Sequence, residues 1–310
     1  MNISVVIPVY NGENTITPLV ERLEKVLSAI CEAYEVILVC DGSPDNSWRV
    51  IEQLASRYNW VRGIALMRNY GQHNALLCGV LSARYEITAT LDDDLQHPPE
   101  ELPTMLAKLA EGYDVVFGVP KKLPHSPWRN FTSIVTKYTV DHIMGVKSIR
   151  DISSYRVFHT HIRKAFDDYK GPDLLLDVLL TWGTNRFGTV AIESAPRTIG
   201  TSNYDLAKLI QMALTLLTGY TTLPLRFASI LGFLFTIFGV FILVYVLVTY
   251  FALGSIPGFS FLASAIIIFS GVQLFALGII GEYLARIFDR SYGRPTYRVL
   301  TTTNSSTDGK

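Results

Sequence analysis

Apolar residues recur in two alternating rhythms along the first 120 positions. Short runs rich in Val, Ile and Leu (3–9, 34–39, 61–66, 87–91 and 114–118) are separated by stretches in which apolar residues return every three or four positions (18–33, 47–58, 72–83 and 100–110). The first kind predicts β-strands and the second amphipathic helices. Their strict alternation predicts a mainly parallel, doubly wound α/β sheet. Thr17 followed by Pro18 suits the cap and first turn of the first helix. Beyond position 118 the alternation weakens. Residues 128–145 and 173–182 read as helices around a short strand at 155–158, and 204–222 as an amphipathic helix. The Ser/Thr-rich stretch 301–310 reads as disordered.

The pattern changes at position 227. From there to 281 the chain carries no Asp, Glu, Lys, Arg or His, a run far longer than the core helix of a soluble domain. Gly254-Ser255-Ile256-Pro257-Gly258 divides it into 227–253 and 259–281, each long enough for one bilayer crossing. Lys208 and Arg226 precede the pair and Arg286, Arg290, Arg294 and Arg298 come after it, whereas 252–260 has no cation. The positive-inside rule then puts the rest of the chain in the cytoplasm. The expected organisation is a cytoplasmic domain over 1–203, an amphipathic interfacial helix over 204–223, transmembrane helices over 227–253 and 259–281, and a basic cytoplasmic tail over 282–310. Gly271, Gly278 and Gly281 offer close helix approach, either within the hairpin or in a homo-oligomer.

Charge and cysteine content exclude several classes. The 27 Lys and Arg balance 27 Asp and Glu, so no basic surface points to nucleic acid. Cys31, Cys40 and Cys78 are odd in number and lack a Cys-x-x-Cys pair, which gives neither a disulfide framework nor a zinc pattern. The apolar run at 3–7 is too short, and lacks the basic start, for a signal peptide.

Ligands of doubly wound sheets sit outside the carboxyl ends of the strands, and the loops there are polar: Pro8-Val9-Tyr10-Asn11-Gly12, Asp41-Gly42-Ser43-Pro44-Asp45, 68–73, and Asp92-Asp93-Asp94-Leu95-Gln96-His97. Three like charges at one strand end repel unless a cation or a set of donors neutralises them. Hard carboxylate oxygens suit Mg²⁺ or Mn²⁺, which commonly bind one or two carboxylates together with substrate phosphates. The alternative is a solvated acidic turn ahead of the helix after Pro98-Pro99. His73 and His97 lie in the same loops and serve either substrate contact or a structural hydrogen bond. His159-x-His161 reads as a polar helix start.

Taken in order, Val5-Val6-Ile7-Pro8-Val9-Tyr10-Asn11, Asp41-Gly42-Ser43-x-Asp45 and Asp92-x-Asp94-x-Gln96 resemble the family 2 glycosyltransferases with the nucleotide-sugar-binding GT-A (Rossmann-like) fold. Arg68-Asn69-Tyr70-Gly71-Gln72-His73, Asp94-Leu95-Gln96-His97-Pro98-Pro99, Gly281-Glu282-Tyr283-x-x-Arg286 and Arg294-Pro295-x-Tyr297 narrow the resemblance to the polyprenyl-phosphate glycosyltransferases. It implies an inverting, membrane-anchored transferase of the plasma (inner) membrane. A sugar would pass from a nucleotide diphosphate, a UDP-sugar, to undecaprenyl or another polyprenyl phosphate. The product would modify cell-envelope glycans such as lipopolysaccharide O-antigen, with a flippase as downstream partner.

The resemblance also implies residue roles. Asp92 would approach nucleotide and metal, Asp94 would ligate Mg²⁺ or Mn²⁺, and Gln96 would support the coordination. Pro8, Tyr10, Asn11, Asp41 and Asp93 would line the nucleotide pocket; a carboxylate such as Asp41 can accept a uracil N–H, and a planar base can pack on Tyr10. Arg197 and Ser202 would close over the diphosphate, Arg129 would help neutralise it, and Asp151 would orient the acceptor or act as base. A phosphate monoester is largely dianionic at neutral pH, so positioning outweighs base strength. Three positions depart from the family pattern: Cys40 replaces the first acid of Asp-Asp-Gly-Ser, Pro120 an Arg, and Asn203 a Lys. A processive polysaccharide synthase is disfavoured, since the chain has two spans and no Gln-x-x-Arg-Trp motif. A catalytically silent scaffold for a flippase is the other alternative.

Overall fold

The computed structural model describes residues 1–120, 153–171, 174–193, 222–253, 258–293 and 295–303. The chain divides into two compact units, Met1–Asn203 with Arg294–Lys310, and Tyr204–Gly293. In the first unit the alternating rhythm becomes β1 (Asn2–Val9), α1 (Ile16–Ile30), β2 (Ala33–Cys40), α2 (Ser47–Arg57), β3 (Val61–Leu66), α3 (Gln72–Ser82), β4 (Ile87–Thr90), α4 (Leu102–Ala110) and β5 (Val115–Pro120). Further along come β6 (Arg156–His159), α5 (Leu176–Gly183) and β7 (Phe187–Ile192), and much later β8 (Val299–Thr302). The sheet order is β7-β5-β6-β4-β1-β2-β3-β8. Strands β1 to β4 are mutually parallel, β7 is parallel to β5, and β6 and β8 run antiparallel to their neighbours.

The two-residue period of a strand sends alternate side chains to opposite faces, and both faces are covered. Ile3, Val5, Ile7 and Val9 pack with α1, α2 and α4, while Val6, Ile37, Val39 and Phe158 pack with α3 and α5. The α1 helix begins at Ile16 with Thr15 as cap, two residues ahead of the Thr17 and Pro18 expected from sequence. Gly12 O accepts the N–H groups of Thr15 and Ile16, and the earlier start buries Ile16 completely. Strand β7 has no counterpart in the sequence reading. The helix expected at 128–145 lies outside the described residues, as does the interfacial helix apart from its last two positions.

At the foot of the sheet Glu35, 4% exposed, accepts Ser4 Oγ at 2.8 Å, Arg84 N at 2.7 Å and Arg62 Nη1 at 2.7 Å. The carboxylate locks β1, β2, β3 and the turn into β4 together.

The second unit contains α6 (Leu223–Leu253) and α7 (Phe259–Ser291). The segments Leu223–Ala252 and Ile268–Phe288 are long and apolar enough to cross a membrane, and none of either span's most apolar stretch is buried inside the structure. Phe235 and Phe269 meet edge to face at 6.0 Å, and Gly239 lets Phe269 approach its backbone. Gly271, Gly278 and Gly281 face open space, so hairpin packing does not use them.

The expected basic tail is structured in its described part. The α7 helix continues to Ser291, carrying Arg286 against Glu282, and β8 then joins the sheet as an edge strand. Thr301 and Thr302, expected to be disordered, lie in β8. Thr303 exchanges two hydrogen bonds with Gly63, N–H to O at 3.0 Å and Gly63 N to its Oγ1 at 2.9 Å. Tyr297 covers Cys78, whose thiol is hydrogen-bonded to the tyrosine hydroxyl and pushed up to about 12 by burial.

This packing generates two expected outcomes. A Cβ on Gly79 would lie 2.2 Å from Val6 Cγ1, so Gly79→Ala should destabilise the fold by about 1–3 kcal/mol through overpacking, despite alanine's better helix propensity; denaturant titration of the purified chain measures it. Cys78 should resist maleimide in the intact protein and label readily once residues 297–310 are deleted, as read by mass spectrometry.

Candidate active site

The carboxyl ends of β1, β2, β3 and β4 open into a cleft of about 270 Å³ lined by Pro8, Val9, Tyr10, Asp41, Asn69, Gly71, Gln72, Asp92, Asp93 and Asp94. Four of these side chains are carboxylic acids, and no Lys or Arg is among them.

The loops around the cleft are tied to one another by the motif residues after β2. Asp45 Oδ1 accepts Ser43 Oγ at 2.5 Å, Ser47 Oγ at 2.5 Å and Ser47 N at 3.0 Å. Its Oδ2 accepts Glu13 N at 3.1 Å, while Ser43 and Ser47 hydroxyls accept Asn11 N and Gly12 N at 2.8 and 2.9 Å. Burial alone would raise the Asp45 pKa; the hydrogen bonds from Ser43, Ser47 and Glu13 outweigh it and lower it. Asn11 is held at φ 57°, a left-handed conformation that Asn tolerates, and is absent from the cleft lining.

Asp41 is only 3% exposed. Its two oxygens accept the backbone N–H groups of Tyr70 at 2.7 Å and Gly71 at 2.8 Å; burial raises its pKa against the pull of those donors. It therefore pins the 68–71 loop as well as lining the cleft. Gly42, at φ 60°, lets that loop close in: a Cβ there would sit 2.4 Å from the Arg68 carbonyl carbon and Asn69 N. Arg68 lies over the Tyr70 ring at 4.6 Å. Tyr10 is 48% exposed and presents its ring at the cleft, unlike a core tyrosine.

Each member of the acid trio has a different environment. Asp92 is oriented from two sides, accepting Gln72 Nε2 and Ser154 Oγ, both at 2.6 Å. Asp93 turns inward against Gly12, and its Oδ2 is buried with no hydrogen-bond partner. Burial, then the charges of Asp92 and Asp94, push its pKa up to about 7, against the pull of its own and Tyr10 backbone N–H groups. Asp94 Oδ1 accepts Gln96 N at 3.1 Å. Gln96 thus joins the turn through its backbone and does not line the cleft.

Among the described residues no group of three or more His, Cys, Asp or Glu side chains is gathered as a metal cage. A hard divalent cation that also binds a diphosphate does not need one. The donor chemistry of Asp92 and Asp94, together with the partnerless inward oxygen of Asp93, fits such an ion. The sequence points to the 68–73 loop but not to Asn69, Gly71 and Gln72 as its cleft residues; their position after β3 is the signal that marks them. Arg129, Asp151, Arg197 and Ser202 lie outside the described residues.

The fold has known counterparts. Glucosyl-3-phosphoglycerate synthase of Mycobacterium tuberculosis, crystallised with Mn²⁺, uridine diphosphate and phosphoglyceric acid, superposes with a TM-score of 0.52 at 18% identity, covering 70% of this chain and 76% of that one; the likeness concerns the fold alone. Relatives in sequence include the undecaprenyl-phosphate 4-deoxy-4-formamido-L-arabinose transferase of Shewanella sediminis, 35% identical over 96% of this chain and 91% of its own. The proteins of that name from Proteus mirabilis and Pseudomonas aeruginosa are 36% and 33% identical, over 95% and 98% of this chain and 92% of each relative. The family pattern described as Glycosyl transferase family 2 matches residues 4–170. With that match over more than half its length and those relatives over nearly all of it, the chain belongs to glycosyl transferase family 2 and is a glycosyltransferase.

Proposed function

We propose that this glycosyltransferase moves a sugar from a UDP-sugar to undecaprenyl phosphate or a similar polyprenyl phosphate, with inversion at the anomeric carbon. The observation that carries the donor half is the cleft itself, with an exposed aromatic at β1, carboxylates at β4 and no Lys or Arg among the described residues that line it. The acceptor half rests on the undecaprenyl phosphate for which the relatives are named and on two helices long and apolar enough to cross a bilayer. The catalytic unit would face the cytoplasm at the plasma membrane, and the lipid-linked product would supply cell-envelope glycan modification, handed on by a flippase.

Tyr10 would pack on the base while Asp41 holds the 68–71 loop beside it. Asp92, already fixed by Gln72 and Ser154, and Asp94 would hold Mg²⁺ or Mn²⁺ against the diphosphate. When bound, such an ion neutralises the charge that develops on the leaving diphosphate. An oxygen of the lipid phosphate attacks the anomeric carbon as the bond to the diphosphate oxygen breaks on the opposite side. Because that phosphate is dianionic near neutral pH, a residue such as Asp151 would orient it more than deprotonate it. Arg129, Arg197 and Ser202 are proposed, on sequence, to hold the diphosphate.

The purified chain, given polyprenyl phosphate and a panel of nucleotide sugars, should yield one lipid-linked sugar detectable by mass. Asp94→Asn should lower that turnover by roughly 10²-fold or more, the scale of losing one preorganised charge-stabilising group, and a chelator should abolish it reversibly. Binding of UDP without any transfer would instead indicate a silent relative.

Asp93 gives a pH test of the charge imbalance. Its folded pKa of about 7 lies above the ordinary 3.8, so its contribution to stability is present at low pH and lost as pH rises through 7. In chelator, the melting temperature of the wild type should fall between pH 5 and 8 relative to Asp93→Asn, which lacks the titrating group. Parallel curves for the two proteins would contradict the assignment.

A further inference from the structure

Strand β6 runs antiparallel to β4, with Arg156 beside Thr90. The residues leading into β6 therefore overhang the carboxyl end of β4, where the acid trio begins. Ser154 Oγ donates to Asp92 Oδ2 at 2.6 Å, and Ser154 O accepts Thr90 Oγ1 at 2.9 Å. Tyr155 Oη donates to Pro98 O at 3.1 Å, and its ring lies 5.4 Å from that of His97. Two consecutive residues thus hold both the entry and the exit of the 92–98 loop. Tyr155 is itself fixed, since it is buried in the core and its carbonyl accepts Gly118 N of β5 at 2.9 Å.

Between those two anchors the loop turns through Leu95, whose φ is 61°. A Cβ makes this left-handed conformation unfavourable, and a leucine keeps it only where its surroundings over-determine it. Here the Leu95 side chain packs against the buried core. Across the same turn Asp94 Oδ1 accepts Gln96 N at 3.1 Å. The acid loop is therefore held at its entry, its turn and its exit by contacts that lie outside the cleft: none of Leu95, Ser154 and Tyr155 is among the described residues that line it.

Carboxylates that share a doubly charged ion repel one another until it arrives, so their arrangement has to be imposed by the protein. A donor that orients a ligating carboxylate from behind commonly changes metal affinity by about 10- to 100-fold. We propose that Leu95, Ser154 and Tyr155 are positioning residues, a preset mount for the acid loop that sets the affinity of the donor site for its divalent cation. This step rests on the proposed function, in which Asp92 and Asp94 hold that ion. Ser154 fixes the orientation of Asp92, Leu95 fixes the turn on which Asp94 stands, and Tyr155 keeps the far end of the loop from drifting.

Binding of Mn²⁺ to the full chain with saturating UDP, followed by the paramagnetic resonance signal of free Mn²⁺ against a protein-free control, tests the mount; melting temperature in chelator is measured alongside. Ser154→Ala should weaken Mn²⁺ binding by about tenfold or more, with a melting temperature in chelator near that of wild type. Ser154→Thr keeps the hydroxyl and should restore affinity to within about threefold of wild type. Tyr155→Phe should weaken binding by about threefold or more. Leu95→Gly adopts the left-handed backbone without cost but lacks the anchoring side chain, and should weaken binding to a similar extent. Should Tyr155→Phe or Leu95→Gly fail to fold, the Ser154 pair carries the test. Ser154→Ala binding Mn²⁺ as tightly as wild type, or Ser154→Thr binding no better than Ser154→Ala, would overturn the mount. Leu95→Gly at wild-type affinity would overturn the part assigned to Leu95. A wild type that binds no Mn²⁺ beside UDP would remove the cation reading itself, a result distinct from variants that match a wild type that does bind.

Discussion

Negative charge concentrated at the end of a buried strand is the constraint around which this molecule is arranged. Asp92, Asp93 and Asp94 come after β4 without a break, and no basic side chain is among the described residues that line the cleft with them. Two of the three are partly compensated by hydrogen bonds from Gln72, Ser154 and the Gln96 backbone. The middle one is turned into the protein against Gly12, where its charge is least tolerable. In the proposed reaction, which brings a diphosphate and a second phosphate together, this imbalance would make cation and substrate binding mutually supportive.

The residues after β2 also tie the loops around the cleft together, with Asp41 lining the cleft as well. Asp41, Ser43, Asp45 and Ser47 direct most of their hydrogen-bonding capacity at the backbone of the neighbouring loops. They hold three strand ends in one geometry, and the cleft is the space left between them. Cys40, which stands where an acid is common, is buried and its thiol is raised mainly by that burial. An acid there would have to be desolvated in the same place.

The amino-acid pattern is legible wherever a regular period meets a regular element. Strands β1 to β5 and helices α1 to α4 match the hydrophobic rhythm to within a few residues, because the strands are buried on both faces and each helix buries one face against the sheet. The two apolar helices are plain from the absence of charge. The acid trio and Tyr10 emerge from asking which residues stand after each strand. Less visible is whatever depends on pairing across long stretches of chain. The alternation in β7 is short and comes after an irregular stretch, and β8 runs into the Ser/Thr-rich stretch 301–310 whose composition also describes disorder, although Val299 and the two threonines of β8 favour strands. The second role of Asp41, holding the backbone N–H groups of Tyr70 and Gly71, is not legible in sequence because that loop lies 29 residues away.

The place of β8 in the chain has a consequence for biosynthesis. This strand comes after both apolar helices in sequence yet completes the sheet beside β3, so the sheet lacks its edge strand while the ribosome is still making the hairpin. Until then the outer edge of β3 is an unsatisfied hydrogen-bonding ladder and Cys78 lacks its cover. The last strand of the sheet is thereby supplied by the last part of the described chain to be synthesised, after both apolar helices.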